Sequence, residues 1–153
     1  MGLEEGTLRA ELQPHGWDRN MPNTQSTGIA YADPEFTTCF VSEQLGYSTG
    51  AQGTVTQATS KSTGVTLNKS AGRITMNNEA LAGNTAASFT LTNSLISAND
   101  VIVLNVSGGG TAGAYTTYVS SMTTGSAVVT LRNLTSGSLS EAVVVNFGIL
   151  HGQ

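Results

Sequence analysis

The sequence predicts an all-β fold: an antiparallel two-sheet sandwich, jelly-roll-like, carried behind an extended N-terminal arm. Three observations point there. Only 10% of the 153 residues are charged, against about 25% in ordinary soluble domains, so Thr, Ser and Asn must supply the polar surface. From residue 53 onward the chain is a succession of short, β-branched, alternating segments bounded by Gly, Asn, Ser or Asp, the pattern of half-buried strands. No helical crossover separates them, which favours sheets packed on each other over a parallel α/β arrangement.

The arm comes first, over residues 1–50. It holds all three prolines (Pro14, Pro22, Pro34) and the charges Arg9 and Arg19 against Glu4, Glu5, Glu11, Asp18, Asp33, Glu35 and Glu43. A stretch such as QPHGWDRNMPN fits no regular element, because proline and its neighbours disfavour helix and ladder alike. The aromatics of the arm, Trp17, Tyr31, Phe36 and Phe40, need a surface to cover them, either their own domain or a partner. They are the expected interface anchors, since aromatic side chains dominate interface energetics.

The sandwich follows over residues 51–153. Strands are expected at GTVTQAT (53–59), GVTLNKS (64–70), GRITM (72–76), ASFTLTN (87–93), DVIVLNV (100–106), AYTTYVS (114–120), SAVVTLRN (126–133) and EAVVVNFGIL (141–150). DVIVLNV is apolar on both faces and is expected between layers. Here the few charges are Lys61, Lys69, Arg73 and Arg132 against Glu79, Asp100 and Glu141. No long internal repeat argues for a propeller or a β-helix.

Candidate chemistry is weak along the chain. Gly108-Gly109-Gly110 follows an apolar strand, as a phosphate loop does, but no Lys or helix follows it. A loop with left-handed backbone positions is the better account. His15 and His151 lie near opposite ends of the chain, with neither a His-x-His motif nor a cysteine pair. Cys39 is the sole cysteine, so it reads as a small hydrophobe, with no identified base to activate it. Carboxylate pairs such as Asp18 with Asp33, or Glu79 with Glu141, are expected on solvated surface. Three Asn-x-Ser/Thr sequons, at Asn68, Asn105 and Asn133, fall to chance in so hydroxyl-rich a chain. The expectation is no catalytic residue, no cofactor, no metal and no enzyme activity.

The net charge of −4 argues against nucleic acid, which calls for a basic face. No run reaches membrane-spanning length, and Met1-Gly2-Leu3-Glu4-Glu5 lacks the basic start of a signal peptide. Arg132 and Glu141 flank the Thr135–Ser140 loop. They are expected to pair across a hairpin or to serve in a subunit contact.

Three phrases carry a resemblance: GTVTQATSKSTGVTLNKSAGRITM, FTLTNSLISANDVIVLNVSGGGTAGAY and LRNLTSGSLSEAVVVNFGIL, together spanning about residues 53 to 150. They resemble a β-sandwich module of tailed-bacteriophage structural proteins, which recurs in capsid decoration (cement) proteins and in tail-fibre regions. The resemblance implies a virion component, often oligomeric, with no catalytic residue to carry over. A tail fibre needs a shaft, for which 153 residues, if they are the full gene product, leave no room, whereas an arm plus a compact domain suits a cement protein. The expectation is therefore a decoration protein on the outer capsid surface, made in the host cytoplasm. It would bridge major capsid protein subunits as a homotrimer, through Trp17, Tyr31, Phe36, Phe40, Arg132 and Glu141. The alternative is a short trimeric tail-fibre or adaptor protein that binds a receptor, with Tyr115 and Tyr118 as stacking platforms.

Overall fold

Alternation of aliphatic and hydroxyl residues gives each segment one face that leaves water and one that keeps it, so the segments form strands. The computed structural model describes residue 38 and residues 40–152. The chain divides into two units after Ser42, and every strand among the described residues belongs to the second, Glu43–Gln153. A 3-10 turn at Thr49–Ala51 leads into β1 (Gln52–Thr56), β2 (Val65–Thr66), β3 (Ala71–Thr75) and β4 (Ala86–Thr92). There follow β5 (Val101–Gly108), β6 (Tyr115–Thr123), β7 (Ser126–Asn133) and β8 (Val144–Leu150).

Two four-stranded sheets result, one in the order β1-β3-β8-β5 and the other β2-β4-β7-β6. The two-sheet sandwich expected from the sequence is the fold of this unit. Its pairing is mixed: β1 lies parallel to β3 and β2 parallel to β4, while β3–β8, β5–β8, β4–β7 and β6–β7 are antiparallel. The first four strands alternate between the two sheets. Each same-sheet neighbour is reached only after a trip through the opposite layer, and that detour returns the chain in its starting direction. Only β6 and β7 are joined by a two-residue turn, Thr124-Gly125, where Gly125 has φ +84°. That left-handed position suits glycine, which has no Cβ to clash.

The core lies between the sheets and is laid out in cross-strand rows. In the first sheet Val55, Ile74, Val145 and Val106 stand opposite one another. The next row reads Gly53, Gly72, Phe147 and Leu104. Its two glycines are there for room. A Cβ on Gly72 would press on the Phe147 ring and on Leu67, and one on Gly53 would press on Leu67. In the second sheet Phe89 faces Val129 and Val119, while Leu91 faces the small Ala127. Ile74, Leu91, Val129, Leu131, Val143, Val145 and Ile149 are fully buried, each worth about 1.5–3 kcal/mol relative to leaving it in water.

Some elements differ from expectation. DVIVLNV is an edge strand, and its outward Val101 and Val103 are 58% and 54% exposed. It is apolar on both faces, yet among the described residues nothing covers the outer one. The segment expected at 64–70 shortens to Val65–Thr66. Val143 precedes β8 and accepts a hydrogen bond from the Met76 N–H instead. Gly109 and Gly113 have φ of +71° and +75°, as expected of a loop with left-handed positions, and this loop carries the chain from the first sheet to the second. A Cβ at Gly109 would collide with the Ala142 carbonyl.

Truncating a core side chain tests this packing. Phe89→Ala or Leu131→Ala should lower unfolding free energy by about 3 kcal/mol, read from urea titration at unchanged slope.

Candidate interaction surface

The outer face of the first sheet is the most distinctive surface of the unit. Its rows follow from the register: Thr54, Arg73, Asn146 and Asn105 in one, then Gln52, Ala71, Gly148 and Val103, then Leu150 beside Val101. The middle row is small at Ala71 and Gly148, and this makes a trough. Tyr47 lies over it, with its ring nearest the Gly148 position and its hydroxyl donating to the Ile149 carbonyl. Gln52 Nε2 donates to the Tyr47 carbonyl at 2.8 Å, so the residue is held at both its side chain and its backbone. Ser107 Oγ donates to Asn146 Oδ1 at 3.0 Å.

The trough is an open cavity of about 760 Å³ bounded by Tyr47, Arg73, Ser107 and Asn146. It offers an aromatic wall, a guanidinium and two amide or hydroxyl groups, the donor set that orients a small polar ligand. Beside it Val101, Val103 and Leu150 are all more than half exposed. No charged residue occurs in β5 or β8.

Charge is concentrated at the two ends of the sheet. At one end Asp100 is buried and accepts from the Ser97 N–H (2.8 Å), the Ser97 hydroxyl (2.7 Å) and the Gly152 N–H (3.1 Å). His151 Nδ1 lies 3.1 Å from Asp100 Oδ2, the oxygen that also accepts from the Ser97 N–H. These donors, the Ser97 backbone first, hold the carboxyl well below the ordinary value of 3.8, although burial pushes the other way. The arrangement fixes the chain after β8 to the turn before β5.

At the other end Lys61 is 2% exposed. Its Nζ donates to the carbonyls of Asn77 (2.5 Å) and Glu141 (2.6 Å), and its N–H donates to Glu79 Oε2 (3.2 Å). Burial lowers its pKa, opposed by the carboxylates of Glu79 and Glu141. Glu141 accepts from the Thr111 N–H (3.1 Å) and hydroxyl (2.8 Å). Those bonds, the neighbouring Tyr115 hydroxyl and Lys61 lower its pKa. Burial and the nearby Glu141 push the Tyr115 phenol up to about 12. Gln57 braces the same end, donating to the carbonyls of Lys61 and Thr63 and accepting from the Asn77 N–H.

The expected site residues fall out as follows. Trp17, Tyr31 and Phe36, with His15, Asp18, Asp33 and Cys39, lie outside the described residues. Phe40 is described and is 95% exposed. The expected pairing of Arg132 with Glu141 across a hairpin does not form. Strand β7 belongs to the second sheet and β8 to the first, so the segment between them crosses layers. Arg132 is exposed on the outer face between Ala86 and Thr116, and Glu141 is bound to Thr111. Glu79 and Glu141 each have their own donors. Of the two expected stacking tyrosines, Tyr118 is 46% exposed, while Tyr115 packs against the core.

Sequence reasoning missed Lys61, Asp100 and Tyr47. Nothing in the periodicity marks a lysine in a turn as buried. Asp100 carried a signal, since Ser97-x-x-Asp is a local turn pattern. Asn133 also looked like a sequon, but it is fully buried, with its Oδ1 accepting from the N–H and hydroxyl of Thr135. That Asn-x-Thr serves the turn.

Two predictions follow from the ends. A carboxyl with a lowered folded pKa adds stability that is complete above its ordinary value and disappears as pH falls through the folded one. Asp100→Asn should therefore lower the unfolding temperature at pH 7 and erase much of the difference between pH 7 and pH 3, read by thermal melts across pH. Lys61→Met should cost about 2 kcal/mol in urea unfolding, because two buried carbonyls lose their donor. Set against known protein families, characterised proteins and solved structures, the chain matches none.

Proposed function

We propose that the chain is a virion structural protein, a capsid decoration (cement) protein that binds the expanded shell of a tailed bacteriophage and bridges its major capsid subunits. The observation that carries this reading is the apolar part of the outer face of the first sheet, where Tyr47, Val103, Val101 and Leu150 form one continuous strip. Contiguous exposed apolar surface of this kind marks a place where another protein sits. The resemblance of residues 53–150 to phage structural modules, read from the sequence phrases alone, is what favours a capsid subunit as that partner. The aromatic residues of the arm supply anchors outside the sandwich.

The mechanism is thermodynamic. A protein that binds only the expanded shell stabilises it by about 2.7 kcal/mol per site when present at a hundredfold excess over its dissociation constant. Repeated over many sites, this opposes the outward pressure of packaged DNA. An arm covers a large area with few residues, at the expense of ordering them on binding.

A second reading, a short receptor-binding or adaptor protein, is favoured by the trough between Tyr47 and Arg73. A stacked sugar with an acidic group would meet both. Its signature is adsorption of the isolated protein to host cells with block of infection.

The primary reading is tested on purified expanded shells. A chain lacking residues 1–37 should fold, as judged by its thermal transition, and bind shells at least about tenfold more weakly than the full chain, because aromatic anchors carry interface energy. Unchanged affinity would remove the arm from the mechanism, and no shell binding by the full chain would end the cement reading.

A further inference from the structure

The outer face of the second sheet lies on the opposite side of the sandwich from the strip and the trough, and its chemistry differs. Strands β2, β4, β6 and β7 hold a single charged residue, Arg132, and no carboxylate. The register sets Arg132 opposite Thr116, and Tyr118 opposite Thr130 in the next outward row. Tyr118 and Arg132 are therefore diagonal neighbours on adjacent strands, about 7–8 Å apart and within reach of one sugar ring. Tyr118 is 46% exposed, and Arg132 is exposed with no ion-pair partner among the described residues. Thr130 points outward between the fully buried Val129 and Leu131, yet it is only 3% exposed, so the face dips there. Its hydroxyl bonds the Ser88 hydroxyl at 2.7 Å on one side and the Ser120 hydroxyl on the other. Three hydroxyls that share two hydrogen bonds keep one proton and several lone pairs for a partner.

We infer that this face binds an acidic polysaccharide, with a sugar ring stacked on Tyr118 and its carboxylate held by Arg132. Each part of the surface answers one part of that ligand. The phenol ring offers a flat apolar platform with a polar tip. The guanidinium matches a planar carboxylate with two parallel hydrogen bonds. The Ser88–Thr130–Ser120 chain both donates and accepts, as the hydroxyls of a sugar do. Other classes of partner fit worse. A protein interface is built around a contiguous apolar centre, and Tyr118 is the only large hydrophobic residue exposed in the strands of this sheet. Nucleic acid needs several cations along its backbone, and these strands carry one. On a particle whose shell meets the first sheet, this face points to the medium. That placement rests on the cement reading, whereas the site itself depends on neither the shell contact nor the trough.

Binding is read by calorimetric titration of the isolated full-length chain. The probes are tetrasaccharides of galacturonate and of mannuronate, each as free acid and as methyl ester, and a sulfated tetrasaccharide. At least one free acid should bind, and its ester, which keeps the rings and loses the charge, about tenfold more weakly. Tyr118→Ala should weaken the acid about tenfold, and Tyr118→Phe should retain it. Arg132→Gln should bring acid and ester to the same affinity. Arg73→Gln, on the other outer face, should change nothing. All four variants should keep the β-sheet circular dichroism spectrum, and Tyr118→Ala and Arg132→Gln should keep any binding to expanded shells. The inference is overturned if the wild type binds neither acid, binds acid and ester equally, or prefers the sulfated sugar. Undiminished binding by Tyr118→Ala would also end it, as would a loss in Arg73→Gln, which would move the sugar to the trough.

Discussion

The described fold depends on one pair of central strands. Strand β8 pairs with β3 on one side and β5 on the other, and β7 does the same between β4 and β6. Their inward residues, Val145, Phe147 and Ile149 against Ala127, Val129 and Leu131, are the buried middle of the core. Neither sheet exists without its central strand, and both of those strands come late in the chain. The first sheet in particular waits for the last strand: β1 and β3 are joined to β5 only through β8. Its contacts therefore span most of the domain in sequence, which makes assembly slow but strongly cooperative.

That dependence explains where polar groups are buried. Gln57, Lys61, Asn93, Asp100 and Asn133 are all buried, and all lie at strand ends or in the connections between strands. Crossings between layers leave backbone carbonyls and N–H groups that no ladder satisfies. Lys61 donates to the carbonyls of Asn77 and Glu141, Asn93 donates to the carbonyl of Lys69, and Asn133 donates to those of Leu81 and Gly137. Asp100 does the converse and collects N–H groups. The faces need no such service, and the charges they carry, Arg73 and Arg132, stand exposed on the outer sides.

Strand positions were legible in the sequence because burial on one face writes a period of two into residues such as Val65, Phe89 and Val129. What lay beyond that period was not. Parallel pairing of β1 with β3 is decided by how the chain alternates between sheets, and no local pattern records it. DVIVLNV reads as an inner strand because alternation cannot tell a face covered by the same chain from one left open. The expected Arg132–Glu141 pair failed for the same reason: proximity in sequence suggested a hairpin where the chain changes layers. Of the candidate surface, only Arg73 is the kind of residue that draws notice in a sequence. Tyr47 matters because Gly148 leaves space beneath its ring, and that relation spans a hundred residues.

The separation of roles has a physical consequence. Stability resides in the core rows and in the hydrogen-bonded ends, whereas the outer face of the first sheet contributes little to either. Its Val101, Val103 and Leu150 already stand more than half in water, so replacing them removes little burial from the folded monomer. The free energy these side chains hold back is released only when something covers them. An association driven this way gains nothing from charge steering and loses little to salt, because screening acts on charges and the strip has none. It is set by apolar area and by fit, and both of those are fixed by the same register that builds the core.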